Sequence, residues 1–121
     1  MQKLLIADDS QGFLEIYKKI LAKLPFEIIF AKDGADAIKK TWKHKPNLII
    51  LDLEMPEMTG AECTRLIKQD PTQKNTPVII VTKHISNKDL EVMYQSGCEE
   101  ILSKPFTEEQ LKNLLKRYLK F

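Results

Sequence analysis

Short apolar runs alternate with amphipathic stretches from one end of the chain to the other. Lys3–Ala7 (KLLIA) is a compact apolar run closed by Asp8-Asp9-Ser10. From Phe13 the apolar positions Phe13, Leu14, Tyr17, Ile20, Leu21 and Leu24 recur at helical spacing, until Pro25 stops the helix. Glu27–Ala31 (EIIFA) predicts a second strand, and Asp33-Gly34 marks a turn. Ala35, Ile38 and Trp42 predict a second amphipathic helix that ends at Lys45-Pro46. A third strand is expected from Leu48 to Leu53, with Asp52 where the buried run meets a loop. Met55-Pro56 turns the chain there, and Gly60 follows.

A helix from about Thr59 is expected to carry Cys63, Leu66 and Ile67 inward, broken by Asp70-Pro71. Val78–Thr82 (VIIVT) predicts a fourth strand. Ser86 or Asn87 suits the cap of the next helix, with Leu90, Met93, Tyr94 and Gly97 on one face. Glu100–Ser103 predicts a shorter fifth strand. Thr107 with Gln110 forms a capping-box pattern ahead of Leu111, Leu114, Leu115, Tyr118 and Leu119. Strand and helix thus alternate five times. Such alternation argues for an α/β fold, a parallel sheet with helices on both faces. The third and fourth strands are continuously apolar, as a sheet covered on both sides requires.

Bulk properties narrow the function. A length of 121 residues suits one domain, here taken as residues 1–121. A net charge of +2 gives no reason to expect nucleic acid or a membrane as partner. No apolar run approaches the roughly 20 residues that span a bilayer, and the early acids exclude a signal peptide. The expected location is the cytoplasm. Cys63 and Cys98 lack metal-site spacing and read as small core residues.

The polar residues at strand ends carry the chemistry. Asp8-Asp9 follow the first strand, Asp52 the third, Thr82 the fourth and Lys104 the fifth. In a parallel sheet all carboxyl ends share one edge, where open α/β sheets bind ligands. Two carboxylates ~5 Å apart repel by about 3 kcal/mol at an effective dielectric of ~20. Three together need a cation or a raised pKa. Oxygen ligands without His or Cys suit Mg²⁺. A carboxylate beside such an ion, a lysine and a hydroxyl is equipped for phosphoryl transfer, with the carboxylate as nucleophile. Each residue also has a plainer reading. Asp8, Asp9 and Ser10 can cap the first helix, and Asp52 can be a turn residue. Their joint placement favours the chemical reading.

With Asp8-Asp9, LDLEMPEMTG around Asp52, Thr82 and Lys104-Pro105-Phe106, the chain resembles the receiver domains of two-component response regulators along its whole length. The resemblance implies a flavodoxin-like (βα)5 fold with sheet order 2-1-3-4-5. It implies a signalling domain rather than an enzyme. Asp52 would accept a phosphoryl group from a sensor histidine kinase or a phosphotransfer protein. Asp9, Asp52 and the backbone carbonyl of Glu54 would ligate Mg²⁺, with Asp8 acting through water or as a second acid. Thr82 and Lys104 would hold the phosphate, and Ile101 occupies the switch position. Pro56, Gly60 and a cis Pro105 would set loop geometry. The output would pass through the fourth helix, fifth strand and fifth helix to a downstream protein or output domain, with a homodimer through that face possible. The chain ends about where the fifth helix ends, so no output domain is expected within it.

Three positions depart from the common pattern. Ile101 stands where Tyr or Phe is frequent, Lys83 where a small residue is usual, and Glu54 puts an acid at the pocket mouth. His84 reads as a solvated loop residue. Two other classes fit the residues less well: a pseudo-receiver that binds protein without phosphorylation, and a haloacid-dehalogenase-like phosphatase. The acid set with Thr82 and Lys104 opposes the first. The location of the acid pair on another strand opposes the second.

Overall fold

The structure is a computed structural model that describes residues 1–83 and 85–121. His84, and the loop role expected of it, lie outside the described residues. The elements in chain order are β1 (Lys3–Ala7), α1 (Gln11–Leu21), β2 (Glu27–Ala31), α2 (Gly34–His44), β3 (Leu48–Asp52), α3 (Gly60–Gln69), β4 (Val78–Thr82), α4 (Asn87–Gln95), β5 (Glu100–Ser103) and α5 (Glu108–Tyr118). The strands form one parallel sheet in the order β2-β1-β3-β4-β5. The flavodoxin-like topology implied by the sequence motifs is the one observed.

Strand alternation divides the core in two. Leu4, Ile6, Leu48, Ile50, Ile79 and Val81 pack against α1 and α5 residues such as Tyr17, Leu21, Leu111 and Leu115. Leu5, Ala7, Ile49, Leu51 and Val78 face Ala37 of α2 and Cys63 and Ile67 of α3. Every residue of β3 and β4 is buried, which is why both read as unbroken apolar runs. The caps follow the sequence. Ser10, Asp33, Thr59, Ser86 and Thr107 each accept a backbone N–H at a helix start, and Thr59 and Thr107 complete capping boxes.

Expectations for four of the helices need correction. In α2 the buried residues are Gly34, Ala37 and Thr41, whereas Ala35 is exposed and Trp42 is 58% exposed. In α3, Leu66 is 45% exposed while Cys63 and Ile67 are buried. Small residues let both helices lie close to the sheet and to each other, so the larger apolar side chains sit on the flank. Cys63 Sγ lies 3.6 Å from the carbonyl oxygen of Gly34, and a methyl on Gly34 would collide with Met58. In α4 Met93 alone is fully buried and Tyr94 is exposed, because that helix touches the sheet along a thin line. Finally, α1 ends at Leu21 rather than at Leu24. Pro25 disfavours helical backbone at the residue before it, and Leu24 instead donates its N–H to Leu21 in a turn.

Candidate functional site

Register explains why distant acids meet. Ala7 pairs with Leu51, so Asp8 and Asp52 stand level, one residue further along adjacent strands. Both continue the face of Leu4, Ile6, Leu48 and Ile50, above α1 and α5. Leu102 packs on that same core, which gives Lys104 the same parity on β5. Lys104 therefore reaches across β4. Its ammonium lies 2.7 Å from Asp8 Oδ2 and 3.0 Å from Asp52 Oδ1. All three residues are buried, Asp52 at 8% exposure and Asp8 at 1%.

The second oxygen of Asp8 accepts the Ser10 N–H at 2.9 Å, and Ser10 Oγ accepts from the N–H of Phe13. The start of α1 thus uses Ser10 as its cap and Asp8 as the brace of the turn before it. Asp9 is exposed. Carboxylate oxygens of Asp8, Asp9 and Asp52 all lie within 4.8 Å of one another. With both Asp8 oxygens already engaged, Asp9 and Asp52 are the acids with free coordinating capacity. The donor set is all oxygen and suits a hard divalent ion.

These side chains open into a cleft of about 220 Å³ lined by Asp9, Ser10, Phe13, Asp52, Glu54, Lys83 and Lys104. Burial raises the Asp52 carboxyl to about 6 from its ordinary 3.8, helped by the Asp8 and Asp9 charges and opposed by the hydrogen bond from Lys104. Tyr17, beneath the cleft, is pushed far above the usual phenol range by burial and then by Asp8 and Asp52.

Loop geometry brings the other residues into place. The N–H of Gly60 donates to Leu53 O at 2.8 Å, folding the β3–α3 loop back on its strand. A Cβ at Gly60 would stand 2.5 Å from the carbonyl oxygen of Asp52, closer than real contacts allow. Pro56 O accepts from Met58 N inside that loop. The Lys104–Pro105 bond is cis. Phe106 packs on Tyr17 and Phe13, with ring centroids 5.3 and 6.3 Å apart.

Asp8, Asp9, Asp52 and Lys104 are brought together, with Glu54 and Lys83 at the mouth. Thr82 is buried at the end of β4, in the parity of Val78 and Ile80, and is not among the side chains lining the cleft. Ile101 is half-buried against Ala61, Ile80, Met93 and Cys98, on the α4 side of the sheet. Phe13 was expected only as a core position of α1. Its ring instead lies 3.9 Å from the Lys104 ammonium and 5.9 Å from that of Lys83. The one available clue was its place one helical turn after Asp9.

Comparison with known proteins agrees with this geometry. The sequence model of the family described as "Response regulator receiver domain" matches residues 4–116. The polar-differentiation response regulator DivK of Brucella anthropi is 30% identical over 118 residues, covering 98% of this chain and 96% of that protein. The fold superposes on chemotaxis protein CheY4 of Vibrio cholerae with a TM-score of 0.92, at 32% identity over 98% of this chain and 99% of that one. It also matches the receiver domain of a Pseudomonas aeruginosa sensor histidine kinase with a TM-score of 0.89, at 25% identity over 97% and 96% of the two chains. That structure is described with a magnesium ion coordinated in its active site cleft.

Proposed function

The chain belongs to the response regulator receiver family, and from that premise we propose that Asp52 accepts a phosphoryl group from the phosphohistidine of a kinase or phosphotransfer protein. The observation that carries this reading is the Lys104 ammonium shared between Asp8 and Asp52 beside the free carboxylate of Asp9. The whole of residues 1–121 acts as the phospho-accepting unit, working in the cytoplasm.

Asp9, Asp52 and the Glu54 carbonyl would hold Mg²⁺, with Asp8 assisting through water or as a second acid. When bound, that ion neutralises the oxygens of the transferring phosphoryl group. Asp52 Oδ2 attacks phosphorus, forming a P–O bond as the P–N bond of the phosphohistidine breaks. The departing imidazole takes a proton from solvent and leaves neutral. Lys104 holds Asp52 in line and then pairs with the new phosphate. Thr82 moves toward Asp52 to hold a phosphoryl oxygen. That movement biases the β4–α4 loop, and α4, β5 and α5 present the result to a downstream protein, an output domain or a second copy. Ile101, which cannot act as an aromatic rotamer switch, passes the change by packing against Met93.

Mass spectrometry after incubation with acetyl phosphate tests the reading. One phosphoryl mass is expected with Mg²⁺, little without it, and none in Asp52→Asn with its fold retained. Labelling of Asp52→Asn at the parent rate rejects the assignment. An unlabelled parent protein in the presence of Mg²⁺ supports the pseudo-receiver reading instead.

A further inference from the structure

Strand parity brings one more cation to the acids. Ile79 and Val81 of β4 lie in the core layer of Leu48 and Ile50, the layer that Asp52 continues. Thr82 has the opposite parity, so Lys83 returns to the Asp52 side. Register sets its height. Thr82 pairs with Ser103, which puts Lys83 level with Lys104. The Lys104 N–H donates to Thr82 O at 2.8 Å, so the pairing holds up to this level. The Lys83 side chain lines the cleft, and its ammonium lies 5.9 Å from the centroid of the Phe13 ring. Lys104 lies 3.9 Å from the same ring. The weak attraction of an ammonium to an aromatic ring holds Lys83 over the cleft.

The two lysines differ in what they are committed to. Lys104 is buried, and its charge is divided between Asp8 and Asp52 at 2.7 and 3.0 Å. Lys83 is exposed and, among the described residues, forms no ion pair with an acid. Glu54 lines the same cleft and is likewise outside every ion pair among the described residues. A phosphoryl donor is an anion, and it enters a cleft lined by the acids Asp9, Asp52 and Glu54. Like charges at that range resist its entry. Lys104 offsets them only by giving up a carboxylate, whereas Lys83 offsets them at no such cost.

We propose that Lys83 is the docking residue for the incoming phosphoryl group, binding its oxygens at the cleft mouth before transfer to Asp52. This rests on the phospho-acceptor reading of Asp52 and deepens it. The Lys83 ammonium donates N–H groups to phosphoryl oxygens as a mobile point charge. It takes no part in bond making. With acetyl phosphate, Asp52 Oδ2 forms the new P–O bond as the bond from phosphorus to the acetyl oxygen breaks, and acetate leaves as an anion. Lys83 acts on the bound donor, so it changes how much donor is needed rather than how fast the bound donor reacts. Its exposed position also makes the attraction sensitive to salt.

Two measurements on the full chain with Mg²⁺ test this. The first is the rate of acetyl phosphate labelling against donor concentration. In Lys83→Met the half-saturating concentration should rise about tenfold, the scale of one hydrogen bond to a charged group, with the maximal rate held within about twofold. Lys83→Arg should recover most of the difference. The second is binding of acetonylphosphonate, whose P–C bond cannot be transferred, followed by amide chemical shifts. Its affinity should fall about tenfold in Lys83→Met, return in Lys83→Arg, and weaken with salt in the parent more than in Lys83→Met. Phosphonate affinity equal in parent and Lys83→Met overturns the proposal, as does absence of phosphonate binding to the parent. Faster labelling of Lys83→Met overturns it in favour of a side chain that merely obstructs the cleft. A lowered maximal rate at an unchanged half-saturating concentration overturns it in favour of a structural role. Lys83-dependent phosphonate binding in a protein that acetyl phosphate does not label supports the docking site and sinks the phospho-acceptor reading alone. Labelling of Asp52 with identical kinetics in all three proteins does the reverse.

Discussion

The Lys104 ammonium lies 3.9 Å from the centroid of the Phe13 ring, so an aromatic ring joins two carboxylates around this cation. A buried lysine bounded in this way has one geometry. It is set before any phosphate arrives.

Replacing Phe13 by Leu keeps an apolar side chain on α1 and removes the ring. The loss expected is about 0.5–2 kcal/mol, the range for a partly desolvated cation–π contact. Urea denaturation measures it. Combined with Lys104→Met, the Phe13→Leu change should cost much less than it does alone. Simple additivity of the two would show that ring and ammonium do not interact.

The raised Asp52 carboxyl gives stability a direction with pH. A group that binds its proton more tightly in the fold makes the unfolded chain the better acid. Metal-free protein is thus favoured most below about pH 3.8 with respect to this group, and loses that contribution as pH rises through about 6. Solvent screening at the cleft mouth reduces the effect to about 1–2 kcal/mol. Asp52→Asn should flatten the pH 4–6 portion of the stability curve. Mg²⁺ competes with the same proton, so its affinity should weaken below about pH 6. Calorimetric titrations at pH 5 and 7.5 would show this. An affinity unchanged between them counts against Asp52 as a ligand.

Lys104→Ala leaves Asp8 and Asp52 facing each other without their shared cation. A loss of about 3–5 kcal/mol is expected without metal, in line with breaking a buried pair. Mg²⁺ should restore part of it, because the acids that bind the ion remain. Labelling by acetyl phosphate should no longer propagate to α4 and β5. Amide chemical shifts that respond to phosphorylation as in the parent would contradict this role for Lys104.

Gly60→Ala places a methyl 2.5 Å from the carbonyl oxygen of Asp52. The loop must shift, at a cost of about 1–3 kcal/mol by analogy with overpacked sites. Because the shift moves Asp52 and Glu54, Mg²⁺ affinity should fall as well. Gly12→Ala is the control. Its methyl meets only Ser10 Oγ at 3.7 Å, so a neutral or slightly stabilising effect is expected. Equal thermal midpoints for the two variants would deny the close approach at Gly60.

Strand positions were legible in the sequence because burial on both faces leaves only apolar residues in β3 and β4 up to their last positions, Asp52 and Thr82. The acids were legible for a related reason: each interrupts an apolar run at its carboxyl end. Helix faces were less so. Trp42, Leu66 and Tyr94 look like core by spacing, yet α2 and α3 approach through Gly34, Ala37 and Cys63, and small residues give a weak periodic signal. The place of Phe13 was hidden for another reason. A ring that packs against a charge is indistinguishable in sequence from one that packs against leucine.

The span of Lys104 over β4 has a mechanical meaning. The strand that lies between is hydrogen-bonded to both neighbours, and one side-chain arm adds a direct tether from the edge of the sheet to its centre. Any change in what that arm grips is passed sideways to the rim of the molecule without disturbing the apolar layer beneath. A rigid interior and a responsive margin can then coexist in so small a body.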